Sequence, residues 1–144
     1  MNVFTVPRDT ELTPQNIAEF IKEHKRLNES FDKLERYYAG EHEILNREKR
    51  SVLANNKLVC NHAKYISDTA VGYFAGNPVK YESKQDIGAL LDILKAADSD
   101  TQDIDLAQKG SIFGVAYEFI YADHDGKPRL YSPDPRNAFV VYDD

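Results

Sequence analysis

The stretch TAVGYFAGNPVKY, residues 69–81, sets the frame for the rest of the chain. Its first half is apolar at helical spacing. Gly76 supplies a stop, and Asn77-Pro78 forbids continuation because proline lacks an N–H and fixes its own φ. Val79 to Tyr81 then reads as extended. The corner is predicted as a helix end followed by a strand start.

Working upstream, Asn61 is a suitable N-cap for a helix over 61–75, with Ala63, Ile66, Ala70, Tyr73 and Phe74 on one side. Before it, residues 40–60 form a polar connector with little apolar content, and a connector that long usually does something or wraps something. Thr13-Pro14 opens an earlier helix, with Thr as cap and Pro at the first helical position. Apolar residues at Ile17, Phe20, Ile21, Leu27, Phe31, Leu34 and Tyr38 continue it, His24 falls in the seam, and Gly40 ends it. This predicts a long helix over about 14–39 with one narrow apolar stripe, which needs a large surface or another subunit to cover it.

Downstream, Leu90, Leu91 and Leu94 mark a third helix over about 86–97. A fourth runs over about 100–113, with Ser99 or Asp100 as cap and several acids in its first turns. After Gly114 the chain alternates in VAYEFIYA, turns at DHDGK, returns in PRLYS and ends in AFVVYDD. The expected fold class is α+β: a helix-rich N-terminal part, then a small antiparallel meander of three strands over about 115–142. Residues 1–144 form a single partial domain. A terminal strand without a covering element leaves an open sheet edge, so the chain is expected to be a fragment of a longer protein or to need partners.

Composition narrows the function classes. The 144 residues are 42% hydrophobic, with nine Tyr, seven Phe and no Trp, and carry a net charge of −6. A globally acidic chain is a poor grip for nucleic acid over its whole surface. One Cys excludes an internal disulfide and a cysteine-based metal cluster, and fits a reducing interior such as a bacterial cytoplasm. The start lacks a signal-peptide pattern and no apolar run is long enough to span a bilayer, so a soluble protein without membrane partners is expected. Charge is unevenly spread. Residues 41–64 hold five basic and three acidic side chains, whereas residues 65–105 hold three basic and eight acidic. These are either two solvated faces or a basic segment of one subunit meeting an acidic one of its neighbour.

Chemical motifs are sparse. The histidines at 24, 42, 62 and 124 form no i, i+4 metal pair, and neither metal nor cofactor is expected. Asp123, His124 and Asp125 sit on the hairpin turn, where turn chemistry accounts for the two aspartates. Ser111 and Ser132 lack a nucleophile-elbow setting. Cys60, at a helix start, reads as a packed structural residue, and no catalytic residue is expected. The many tyrosines and phenylalanines suit core and subunit packing better than stacking on single strands, because most lie outside the basic segment.

Five segments in order carry a resemblance. Tyr37-Tyr38-Ala39-Gly40-Glu41-His42-Glu43-Ile44 closes the first helix, and Asn56 to Ile66 (NKLVCNHAKYI) opens the second. Gly72 to Val79 (GYFAGNPV), Gly110 to Tyr117 (GSIFGVAY) and Pro133 to Phe139 (PDPRNAF) follow. From about Tyr37 to Asp144 the chain resembles the N-terminal part of tailed-phage portal proteins of siphophage type, the head–tail connector family. The resemblance implies a structural subunit without turnover, in a ring that is dodecameric in the virion and sits at one capsid vertex. DNA passes through the channel of that ring in packaging and ejection. Terminase, scaffold and head-completion proteins would be its partners, and the host cytoplasm its place during assembly. This part resembles the outer wing, in which the 61–81 corner would form a rigid elbow with its aromatics buried against the later sheet. Whole portals are several times longer, with stem, clip, channel loop and crown, so an N-terminal fragment is expected.

The candidate DNA or subunit contacts are Arg47, Lys49, Arg50, Lys57 and Lys64. The alternatives are an independent nucleic-acid-binding module using the basic 47–64 segment and a small hydrolase centred on His124.

Overall fold

The computed structural model describes residues 4–48 and 54–143. Along them run β1 (Phe4–Val6), α1 (Pro14–Ala39), one 3-10 turn (Glu43–Asn46), α2 (His62–Ala75), α3 (Gly88–Ala96), α4 (Ser99–Phe113), β2 (Phe119–Ala122), β3 (Pro128–Tyr131) and β4 (Val141–Asp143). The class is α+β, with four helices preceding a β-hairpin.

Helix α1 is fixed at both ends by local chemistry. The Thr13 side chain accepts from the Asn16 N–H, and the Asn16 side chain accepts from the Thr13 N–H at 2.7 Å, a reciprocal cap with Asn in the place usually held by Glu or Gln. Pro14 occupies the first position. Gly40 ends the helix at φ 85°, its N–H reaching the Arg36 and Tyr37 carbonyls, a conformation glycine adopts without a Cβ penalty. The 26 residues between make a rod of about 39 Å.

Helix α2 starts as the sequence predicts, with the Asn61 side chain accepting from the Lys64 N–H at 3.0 Å. Its packed face differs. Its most extensive helix contact is with α4, and the residues it covers are Ala63, Ser67, Val71 and Ala75, every fourth position. Small side chains at that spacing let two helix backbones approach. Ile66, Tyr73 and Phe74, expected on the packed side, point outward, with Tyr73 95% and Phe74 83% exposed. The elbow therefore does not bury its aromatics.

Nor does a strand follow it. Gly76 continues in right-handed helical geometry (φ −70°), and residues 77–81 carry no strand. Among the described residues no second strand lies beside Val79–Tyr81 to complete a ladder, so Pro78 launches an irregular strap alongside α4. Between α3 and α4 the cap is Asp98 rather than Ser99 or Asp100. The two helices are almost continuous, so one residue must make the turn, and Asp98 does so at φ 54°. Asp is among the few residues with a side chain that tolerate this region.

The meander also departs from expectation. Strands β2 and β3 pair antiparallel with Phe119 opposite Tyr131, around a turn in which Gly126 takes φ 75°. The third expected strand, β4, does not join them. It pairs in parallel with β1, Phe4 opposite Val141 and Val6 opposite Asp143. The cause is an aromatic cluster at that seam: the Phe4 ring packs against Phe20 (5.7 Å between centroids) and Phe139 (5.3 Å), and His24 lies 4.9 Å from Phe139. Buried His24 places Nε2 2.8 Å from the Pro135 carbonyl. A carbonyl only accepts, so Nε2 carries the proton. A second ring pair, Phe31 and Phe113 at 5.7 Å, joins α1 to the end of α4.

Candidate functional site

The five basic residues are not equivalent. Arg47 is exposed beyond the 3-10 turn, and its carbonyl accepts from Asn55 Nδ2 at 3.0 Å, which draws this point close to the extended stretch carrying Lys57. Lys57 is exposed, and its neighbour Leu58 is 79% exposed. Lys49 and Arg50 lie outside the described residues. Lys64, on the first turn of α2, is engaged within the chain.

Lys64 belongs to a hub centred on Tyr38. The Tyr38 hydroxyl donates to Asp68 Oδ1 at 2.6 Å and accepts from Gln108 Nε2 at 2.6 Å and Lys64 Nζ at 3.0 Å. One proton and two lone pairs are thereby all used. Lys64 also pairs with Asp68 at 3.1 Å and lies 4.4 Å from the centre of the Tyr38 ring. Asn61 Nδ2 donates to the Tyr38 carbonyl at 2.8 Å. Three helices (α1, α2 and α4) thus meet at one tyrosine. The bonds favour the charged forms: Tyr38, then Asp68, hold the Lys64 ammonium above its ordinary pKa, and Tyr38, then Lys64, hold the Asp68 carboxyl below its own.

A second polar clamp holds the PDPRNAF segment. Arg136 grips Asp134 through Nη2 at 2.6 Å, Asp32 through Nη1 at 3.1 Å, and Glu35 as well. The guanidinium lies 5.8 Å from the Phe113 ring centre. The Asp134 carboxyl is held below its usual range, first by the Arg136 side chain. Nearby, Lys109 Nζ donates to the Ser132 carbonyl and lies 3.2 Å from the buried Ser132 hydroxyl, while pairing with Asp105 one turn earlier. Asn28 Nδ2 donates to the Arg136 carbonyl at 3.0 Å. These bonds pin residues 132–136 against α1 and α4. Ser132 is therefore a locking residue held by a lysine already paired with an aspartate.

Asp123, His124 and Asp125 lie together on the hairpin turn. Asp123 accepts from the Lys127 and Asp125 N–H groups and from Arg129 Nε, at 2.9, 3.0 and 2.9 Å. Those bonds, the Lys127 one foremost, lower its pKa. His124 is exposed. The aspartate the sequence offers to a catalytic cluster is spent on shaping the turn.

Several large apolar side chains are exposed as well. The outward face of α2 carries Tyr65, Ile66, Tyr73 and Phe74, and the β2–β3 hairpin adds Phe119, Ile120 and Tyr131. Between the end of α2, the strap and α4 lies an open groove of about 670 Å³, walled by Phe74, Pro78, Val79, Tyr81 and Leu106, with Asp100 and Asp103 on its border. Single exposed apolar residues are ordinary, and several on one helix face are a candidate interaction surface.

The described fold is thus a set of helices tied by polar clamps, with large rings facing outward. Residues 17–144 match the family described as phage portal protein, SPP1 Gp6-like, and the chain belongs to that family. The role of the family is structural: portals are head–tail connector components of the capsid that serve DNA packaging. No curated protein matches the chain. Among the described residues no helix is long and apolar enough to cross a membrane.

Proposed function

We propose that this chain forms part of the outer wing of a portal ring set at one capsid vertex, through which DNA is packaged and ejected. The observation that carries the reading is the outward apolar face of α2, with Tyr73 and Phe74 more than four-fifths exposed, in a chain of the portal family. Large aromatic side chains exposed together on one helix face are the kind of surface that protein contacts cover. In the assembled ring neighbouring subunits supply that cover. Terminase, scaffold and head-completion proteins dock on the same ring, which is built in the host cytoplasm and retained in the virion.

Arg47, Lys49, Arg50 and Lys57 then act at contacts between subunits or along DNA, while Lys64 ties α2 to α1. Immunogold labelling of particles from the cells that encode the chain tests this. Label at one vertex per particle is the expected result. Label spread over the shell, or absent from particles, overturns it.

A further inference from the structure

The groove beside the strap and the exposed Lys57–Leu58 pair lie at opposite ends of α2. Leu58 precedes the helix, whereas Phe74, Val79 and Asp103 surround the groove at its far end. The tab is held in place by its two flanking asparagines, Asn55 to the Arg47 carbonyl and Asn61 to the Tyr38 carbonyl. From Leu58 to the start of α2 the chain reaches at most about 14 Å, while Phe74 lies about 18 Å along the helix. With both asparagine bonds made, the tab stays at the N-terminal end of α2, away from its own groove.

The two surfaces are complementary. The groove offers an apolar wall, Phe74, Val79 and Leu106, with two carboxylates beside it, Asp100 and Asp103. No described residue forms an ion pair with either carboxylate. The tab offers one apolar side chain, 79% exposed, next to one cation. Lys95 lines the adjoining hollow together with Asp98 and Asp100, whereas the lining of the groove itself includes Asp100 and Asp103 and no cation.

We infer that the Lys57–Leu58 tab of one copy seats in the groove of a second copy, Leu58 against the apolar wall and Lys57 toward Asp100 and Asp103. This rests on the ring-wall reading above and names one of its contacts. The contact is head-to-tail: each copy gives a tab and receives one, so repetition closes a ring or extends a chain.

Head-to-tail geometry gives a decisive mixing test by sedimentation velocity. K57S/L58S removes the tab and keeps the groove; D100K/D103K does the reverse. Each variant alone should self-associate about tenfold more weakly than wild type. Mixed in equal amounts, they retain one good tab and one good groove, and should stop at a one-to-one dimer. D103N repeats the test without placing positive charge in the first turns of α4, and melting curves check that every variant folds. Wild-type assembly unchanged in both variants overturns the inference and leaves the ring-wall reading standing, with some other occupant in the groove. A wild-type chain that never associates overturns both.

Discussion

Tyr38 and Asp68, thirty residues apart in sequence, share a 2.6 Å hydrogen bond that joins the end of α1 to the middle of α2. The same hydroxyl accepts from Gln108 of α4, so one oxygen fixes the relative placement of three helices whose shared core is thin. Y38F removes the oxygen and keeps the ring. Its melting temperature, followed by circular dichroism, should fall by a few degrees, and an unchanged melt would show that ring packing alone sets the junction.

Two glycines four residues apart should respond in opposite directions. A Cβ on Gly76 would run into the Gly72 carbonyl oxygen, whereas a Cβ on Gly72 meets nothing within 4 Å. G76V should therefore lose roughly 1–3 kcal/mol through overpacking. G72A should gain roughly 0.5–1 kcal/mol, because alanine inside a helix loses less chain entropy than glycine. Urea unfolding measures both, and equal effects at the two sites would contradict the geometry.

The acid limb of stability follows from depressed carboxyl groups. Asp134, paired with Arg136, titrates below its ordinary 3.8 in the folded chain. Above 3.8 the ion pair contributes fully. As pH falls from there through the lower folded value, the unfolded chain binds the proton first and the contribution is lost. Asp68 and Asp123 shift in the same direction. Melting temperature should be level near neutrality and drop below about pH 4, and D134N should make that drop shallower. A D134N acid limb as steep as wild type would exclude the pair as a contributor.

Arg136 should not tolerate lysine. Its planar fork reaches Asp134, Asp32 and Glu35 together, which a single ammonium cannot reproduce. R136K should lose most of the melting temperature that R136A loses. Full retention in R136K would mean that charge, not geometry, holds the loop.

The local stops and starts were legible in the sequence because each depends on one or two residues: Thr13-Pro14, Gly40, Asn61 and the Asp-Gly turn. The pairing of β4 with β1 was not. Three-residue strands carry no alternation to set a register, and the signal lies in Phe4, Phe20 and Phe139 meeting across the chain. The packed face of α2 was misread because helical spacing reports a period, not which of two faces is covered; the small residues Ala63, Ser67, Val71 and Ala75 mark the close approach. The charge count around residues 41–64 did not separate Lys64, whose partner Tyr38 lies 26 positions earlier. The portal resemblance, carried by five short segments, held over nearly the whole chain. Two of them contain the residues of the polar clamps, Tyr38 and Arg136.

The central claim is that the outward rings of α2 are contact surface. Light scattering on wild type and Y73S/F74S across a range of protein concentrations tests it most directly. The wild-type mass should rise well above the 16.4 kDa monomer as concentration increases, while the variant, with an unchanged melting curve, stays near it. A wild-type chain that remains monomeric at every concentration, or a variant that assembles equally well, would contradict the account.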